Sequence, residues 1–427
     1  MSALRTLGLA SLVAAGCAAQ AHAGGFYLQE QSVRGVGRAY SGEVADTGVQ
    51  SLWWNPAAIA GQPRQAYVGA HAVLVNADVN DAGSTITYPG GLTRPVGGEP
   101  RAFKPIQDGV APNFAVAVPV GRFAFGLSVA APYNFTTRYR RTAWARYDAL
   151  ESRLETADIQ ATAAMVVNDW LDVGVGVNAE RSDAKLSTAS PNLSPLLPDG
   201  VTQLSGDGWD WGWTVGARVH SKRLSVGASY RASVDHKLSG DIFVGGLLGP
   251  LAAGNVQAPG KASFSTPWIA TLGARYYLGS GLTLNGQVQR IGWGEFDAIR
   301  VMTPAGQQVL AQNYKDVTSG GVGVDYALNK RVTLRAGVQY DPTPTPNDER
   351  TARVPDGDRW LYGAGATADI GHGLTLDVAA AYIAFSDSKV RHDTVFYPGT
   401  PAAVTTRLDG RVHGEGYIMS AGLTAAF

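Results

Sequence analysis

Val332-Thr333-Leu334-Arg335-Ala336-Gly337-Val338-Gln339-Tyr340-Asp341 is two interleaved sequences, one apolar (Val, Leu, Ala, Val, Tyr) and one polar or small (Thr, Arg, Gly, Gln, Asp). Successive side chains of an extended strand point to opposite faces, so this period of two predicts a strand with one apolar and one polar side. The same split recurs: Leu224, Val226, Ala228 and Tyr230 against Ser225, Gly227, Ser229 and Arg231; Leu171, Val173, Val175 and Val177 against Asp172, Gly174, Gly176 and Asn178; and Phe123, Phe125, Leu127 and Val129. An apolar face suits hydrocarbon, and a face of Arg, Asp, Gln and Gly suits a polar lumen.

Working outward, six short turns separate strand pairs: Val120-Gly121-Arg122, Asn168-Asp169, Ser221-Lys222-Arg223, Gly279-Ser280-Gly281, Asn329-Lys330-Arg331 and Gly371-His372-Gly373. Each predicts a tight hairpin. Seven long Pro- and charge-containing stretches alternate with them, near 80–109, 133–155, 185–207, 240–262, 294–316, 342–358 and 387–413. Six short turns and seven long loops predict an all-β chain, a transmembrane antiparallel β-barrel of fourteen strands, with the short-turn and long-loop ends typical of outer membranes. No later segment is apolar enough for a membrane helix, and a chain that spans without one must close into a barrel. The last strand puts Tyr417, Met419, Ala421, Leu423, Ala425 and Phe427 on one face, and Phe427 is the terminal aromatic expected to be read by barrel-assembly machinery. Trp209, Trp211, Trp213, Trp268, Trp293, Trp360, Tyr276 and Tyr277 are expected in the aromatic girdles at the membrane interfaces.

Composition agrees. Gly accounts for 53 of 427 residues, about 12% where about 7% is usual, without a collagen period. Lys+Arg and Asp+Glu are both 35, which gives no basic excess for nucleic acid. Residues 1–23 predict a cleaved signal peptide: Arg5, an apolar run from Leu7 to Ala19, then Ala21-His22-Ala23. Cleavage there leaves 404 residues starting at Gly24 (427 less 23) and removes Cys17, the sole cysteine. The alternative is a lipoprotein signal in which Cys17 is acylated and kept.

Residues 24–64 do not alternate and are too long for one strand. About eight strands already fill a barrel with side chains, so fourteen leave space, and this segment is expected to fold inside as a plug. Residues 65–427 form the barrel.

Several features resemble the FadL-type long-chain fatty-acid and hydrocarbon outer-membrane transporters. They are Gly25-Phe26, Gly35-Val36-Gly37-Arg38-Ala39-Tyr40-Ser41-Gly42-Glu43, Asn55-Pro56-Ala57, Ala131-Pro132-Tyr133, Tyr230-Arg231-Ala232-Ser233-Val234, Pro355-Asp356-Gly357-Asp358-Arg359 and Phe427, in family order. The resemblance implies passive, hatch-gated uptake of hydrophobic compounds across the bacterial outer membrane by a monomer set in outer-membrane lipid and lipopolysaccharide, without cofactor or metal. It implies ligand contact at Gly24, Gly25 and Phe26, a hatch shaped by Arg38, Glu43, Asn55, Pro56 and Ala57, and sideways exit at a kinked third strand. Gly126, Ala131 and Pro132 are the expected places of disturbed pairing there. Asp183 and Leu310 stand where basic residues meet the ligand carboxylate in fatty-acid members, which favours a neutral hydrocarbon.

Two other classes remain open. A barrel hydrolase would need a loop-borne triad; the seven histidines lack metal-ligand spacing, and there is no Gly-x-Ser-x-Gly elbow. A structural or adhesin barrel without transport would have a sealed lumen.

Overall fold

The computed structural model describes residues 25–303 and 306–427; the expected signal peptide, with Cys17, and Gly24 lie outside them. Fourteen antiparallel passes close into a barrel. The first, Gln65–Asp81, pairs with the last, Val404–Ala426, without a break from Gln65↔Ala426 to Asp81↔Gly410. Between them run the second (Gly109–Val120), third (Phe123–Ala130, then Asn134–Arg138), fourth (Glu151–Asn168), fifth (Leu171–Ser190), sixth (Gly200–His220) and seventh (Leu224–Arg231, then Asp235–Gly245). The eighth is Val256–Ser265 and Trp268–Gly279, the ninth Leu282–Gly292 and Ala298–Thr303, and the tenth Gly306–Ala311 and Val317–Ala327. Val332–Asp341, Arg359–Gly371, and Leu374–Phe385 with Ser388–Phe396 complete the wall. All six short turns fall where the sequence places them. At one of them Ser280 takes a left-handed φ of 54° between Gly279 and Gly281.

The period of two is realised as read. On the eleventh strand Leu334 faces outward, while Arg335, Gln339 and Asp341 face the lumen. Val68, Phe125, Val175, Leu272, Val322 and Met419 are likewise exposed on the outer face, where a membrane protein meets lipid. Tyr276 and Tyr277 border a turn, whereas Trp360, Tyr362, Tyr382 and Tyr417 lie farther up the wall, Tyr382 ten residues from His372. Ten residues of tilted strand span roughly 25 Å, the height of an outer-membrane apolar band.

Two expectations need correction. Much of 185–207, 294–316 and 387–413, expected as loop, continues the strands or forms a hairpin: the fifth strand runs to Ser190, Ala298–Thr303 pairs with Gly306–Ala311, and Ser388–Phe396 pairs with the fourteenth strand. Above the membrane both faces of a strand meet polar surroundings, so the alternation that marks strands lower down fades. Trp293 is no girdle residue. The ninth strand breaks between Gly292 and Ala298, and Trp293 and Phe296 turn inward and are buried.

Candidate functional site

Residues 25–64 form no barrel strand; 25–60 are almost all buried inside the barrel, and 61–64 lead out to the first strand. Ser32 caps the short helix Val33–Gly37 by accepting from the Gly35 amide (3.0 Å), and three single 3-10 turns follow, Glu43–Ala45, Val49–Ser51 and Pro56–Ile59. Asn55 caps the last of these: its Oδ1 accepts from the Ala57 amide (2.9 Å), with Pro56 at the first helical position where it has no amide to lose. Its Nδ2 donates to the carbonyls of Val44 (2.7 Å) and, on the barrel wall, Ala217 (3.1 Å). Asn-Pro-Ala is therefore both a turn and a clasp between inner segment and wall.

The wall has made room for it. A Cβ on Gly216 would lie 2.1 Å from Asn55 Oδ1, and one on Gly174 2.5 Å from the Pro56 carbonyl carbon. Gly227, Gly337 and Gly363 stand in the same relation to the carbonyls of Val44, Arg38 and Val36. Much of the glycine excess thus serves lumen-facing positions in mid-strand, where backbone approaches backbone. We predict that Gly216→Leu unseats residues 43–59 while the barrel still folds, so that planar-bilayer recordings show ion conductance absent from the unsubstituted protein. Unchanged conductance would contradict this packing role.

Charge holds the same segment. Arg38, fully buried, pairs with Glu43, with Asp46 (2.6 Å), and with Asp325 on the tenth strand (3.1 Å). Arg275 on the eighth strand bonds Asp46 (3.0 Å) and Asp325 (2.8 Å). Gln50 donates to Asp377 (2.6 Å), and the Arg231 guanidinium stacks 4.5 Å over the Trp53 ring.

Above this fixed part the segment begins with Phe26. Its ring lies 4.8 Å from Trp293, 4.9 Å from Phe296, 5.8 Å from Phe135 and 6.0 Å from Tyr133, centroid to centroid. Phe26 also lines a largely apolar cavity with an empty volume of about 720 Å³, together with Leu154, Leu186, Leu204, Leu238, Phe264 and Ile299. Gly206, Gly240 and Gly260, in register on the sixth, seventh and eighth strands, line one side of it. Two guanidiniums reach it. Arg153 is held by Glu155 (3.1 Å) and Asp183; Arg353 donates to Ser152 Oγ (3.3 Å) and, among the described residues, is in no ion pair.

The cavity connects through the backbone to the third strand. That strand is interrupted at Ala131-Pro132-Tyr133, and the turned-in residues pair with the inner segment: Leu28 N donates to Pro132 O (2.7 Å), Asn134 N to Phe26 O (3.2 Å), and Tyr27 opposes Tyr133 in an antiparallel bridge. The second and third strands pair from Val120↔Phe123 up to Phe114↔Val129 and meet again only at Ile106↔Thr137. Gln107 N still donates to Thr136 O (3.0 Å), and below it the ladder is missing, with residues 108–113 facing 130–135.

The residues singled out in the sequence are thus distributed as follows. Gly25 and Phe26 stand together at the cavity end, with the Gly25 amide on Asp356 Oδ2 (3.1 Å). Arg38, Glu43, Asn55, Pro56 and Ala57 form the buried lower part. Ala131 and Pro132 lie in the strand break. Gly126 does not: it is paired on both sides, with Ala117 and Thr162, and a Cβ there would meet Ile59 and Leu52, so its role is room for the inner segment. Asp183 holds Arg153, and Leu310 is outward on the hairpin. Sequence reading missed Arg153 and Arg353: each directly precedes a cavity residue, Leu154 and Val354, but neither pair forms a motif with a chemical meaning of its own.

The family described as outer membrane protein transport protein (OMPP1/FadL/TodX) matches residues 14–427. The chain is 26% identical over 402 residues to the long-chain fatty acid transport protein of Escherichia coli O6:H1, covering 85% of this chain and 87% of that one. It is 25% identical over 414 residues to outer membrane protein P1 of Haemophilus influenzae, covering 88% and 89%. Among solved structures, a Pseudomonas aeruginosa FadL homologue superposes with a TM-score of 0.82 at 24% identity, covering 94% of this chain and all of that one. The Ralstonia pickettii toluene transporter TbuX gives 0.66 at 18%, covering 93% and 98%. The family is one of transport channels of the bacterial outer membrane and not of enzymes, and with a match over nearly its whole length this chain belongs to it.

Proposed function

We propose that this protein takes up hydrophobic compounds, long-chain fatty acids or aromatic hydrocarbons, by passive movement gated by residues 25–31, with exit through the third-strand break. The observation that carries the reading is the pair of hydrogen bonds from Leu28 N to Pro132 O and from Asn134 N to Phe26 O, which couple the ligand-facing Phe26 to the strand break. A ligand that displaces Phe26 pulls on the backbone that fills the break. Burial at roughly 25 cal/mol per Å² gives a modest apolar ligand several kcal/mol in the cavity, so release needs such a coupled movement. The lower part, residues 33–59, stays seated on its ion pairs. The same reading has the barrel work as a monomer in outer-membrane lipid and lipopolysaccharide, with Phe427 offered to the assembly machinery.

Arg353 refines the ligand. A half-buried guanidinium that is in no ion pair among the described residues is relieved by a bound carboxylate, which favours a fatty acid over the neutral hydrocarbon suggested by Asp183 and Leu310. The test is binding and whole-cell uptake of radiolabelled oleate and toluene. Phe26→Ala is expected to weaken both by about tenfold, since it removes a buried ring of the lining. Arg353→Gln is expected to weaken oleate alone, by about tenfold or more, from loss of a charge-assisted hydrogen bond. Uptake of toluene only would return the neutral ligand; uptake of neither would favour a structural barrel.

A further inference from the structure

A second interruption of the wall lies between the sixth and seventh strands. They pair from His220↔Ser225 up to Thr214↔Arg231 and again from Asp207↔Ser239 to Val201↔Gly245, with the register slipped by one residue between the two runs. Over residues 208–213 no pair is in register, and Ala232 N to Trp213 O (2.9 Å) closes the lower run. The seventh strand leans toward the eighth instead, where Thr266 N donates to Val234 O (2.9 Å). A side chain fills part of the missing ladder: Asp210 Oδ2 accepts from the Lys237 amide (3.0 Å) and lies 3.5 Å from His236 Nδ1. Gly212 is ten residues from Lys222 in the turn below, as Pro132 is from Arg122, so both interruptions sit at one height on the wall.

Behind the interruption is a small cavity, with an empty volume of about 210 Å³, lined by Tyr133, Glu180, Trp213, Val234 and Thr266 among others. It continues the large cavity downward along the same strands: Leu238 and Phe264 line the upper space, Val234 and Thr266 the lower. Two side chains stand between them. His236, fully buried, is bonded to Ser182 Oγ (3.0 Å), with its ring 5.0 Å from Phe264; Tyr133 crosses the lumen from the third-strand break and donates to the Pro267 carbonyl (3.3 Å). Moving the third-strand break therefore also moves the bar that divides the two spaces.

We propose that this interruption is a second sideways exit, through which an unbranched acyl or alkyl chain passes His236 and Tyr133 and enters the outer leaflet between Trp213 and Val234. It rests on the uptake reading above. The passage is narrow, because a Cβ on Gly212 alone would come within 2.8 Å of Val234 Cγ2; a slender chain fits such a slot better than a branched or fused one. Outside it stand Trp209, Trp211 and Trp213, all exposed at the lipid-facing surface.

The test is a reversible lock. Gly212→Cys with Val234→Cys places two Cβ atoms within reach of a disulfide, in a chain whose only native cysteine is Cys17. Uptake of radiolabelled oleate would be measured in cells lacking their own fatty-acid channel, oxidised and after reduction, beside binding to purified protein and beside a lock of Tyr27→Cys with Tyr133→Cys. The expected result is an uptake rate lower by about a third in the oxidised seam lock, recovered on reduction, with binding unchanged, as for a gate that acts on passage alone. Gly212→Leu, which fills the slot without a cross-link, is expected to lower uptake similarly, with folding checked by heat-modifiable electrophoretic mobility. Full uptake by the oxidised seam lock together with loss in the Tyr27/Tyr133 lock would overturn the second exit and leave the uptake reading standing. Full uptake with each of the two locks closed in turn would overturn both.

Discussion

Oxidised Tyr27→Cys/Tyr133→Cys protein is expected to bind oleate and to take it up about threefold more slowly, by way of the remaining seam between the sixth and seventh strands, with the full rate recovered on reduction. The two residues oppose each other in the bridge flanked by the bonds from Leu28 N to Pro132 O and from Asn134 N to Phe26 O. That makes them a non-hydrogen-bonded antiparallel pair, with Cα atoms about 4.5 Å apart, inside the range a disulfide spans. The cross-link fixes the contact that the proposal requires to open, and leaves the cavity lining of Phe26, Phe135 and Leu154 in place. Both tyrosines are fully buried, so their replacement itself loosens packing; the comparison is therefore between oxidised and reduced states of one protein. Equal transport in the two states would show that ligand leaves without parting the inner segment from the third strand.

Arg38→Ala is the second large effect, and it acts on seating. Arg38 is the one cation paired with Glu43 among the described residues, whereas Asp46 and Asp325 keep Arg275 when Arg38 is lost. Glu43 would be left buried with only the Ser51 hydroxyl, 3.2 Å away, as donor. Stranding one member of a buried pair costs about 3–5 kcal/mol. The uninterrupted closing seam, from Gln65↔Ala426 to Asp81↔Gly410, does not involve this network, so the barrel is expected to persist while residues 33–59 loosen. Hydrogen exchange of those residues should accelerate by about a hundredfold or more, since each 1.4 kcal/mol of opening free energy is a factor of ten. Arg38→Lys keeps the charge but cannot reach three carboxylates with one planar fork, and should fall between the two. Protection equal to that of the unsubstituted protein in Arg38→Ala would mean that glycine packing alone holds the segment.

Particular residues show where the sequence stopped being readable. Leu334 and Arg335 announce their faces, because in a strand face depends only on odd or even position. The failure of residues 24–64 to alternate is equally local. Gly337 and Gly216, however, read as weak points of strands until the inner segment is in place, when Arg38 O and Asn55 Oδ1 are found where their side chains would be. Gly126, expected at a disturbance, is in an intact ladder, while the break begins five residues on at Ala131. Arg353 carries no local mark: it comes from the connection between the eleventh and twelfth strands, yet meets Leu154 and Phe26 at one cavity.

By itself, the sequence determined that the chain crosses a membrane as strands, how many there are, where the short turns fall, which faces meet lipid, and to which family it belongs. Each follows from periodicity, turn chemistry or ordered motifs along the chain. Only the tertiary structure decided which lumen-facing residues share a cavity, where the pairing of wall strands is interrupted, and which glycines are empty so that another backbone fits. Closing a barrel brings together residues hundreds of positions apart, at heights and angles set by stagger and twist, and period two specifies neither.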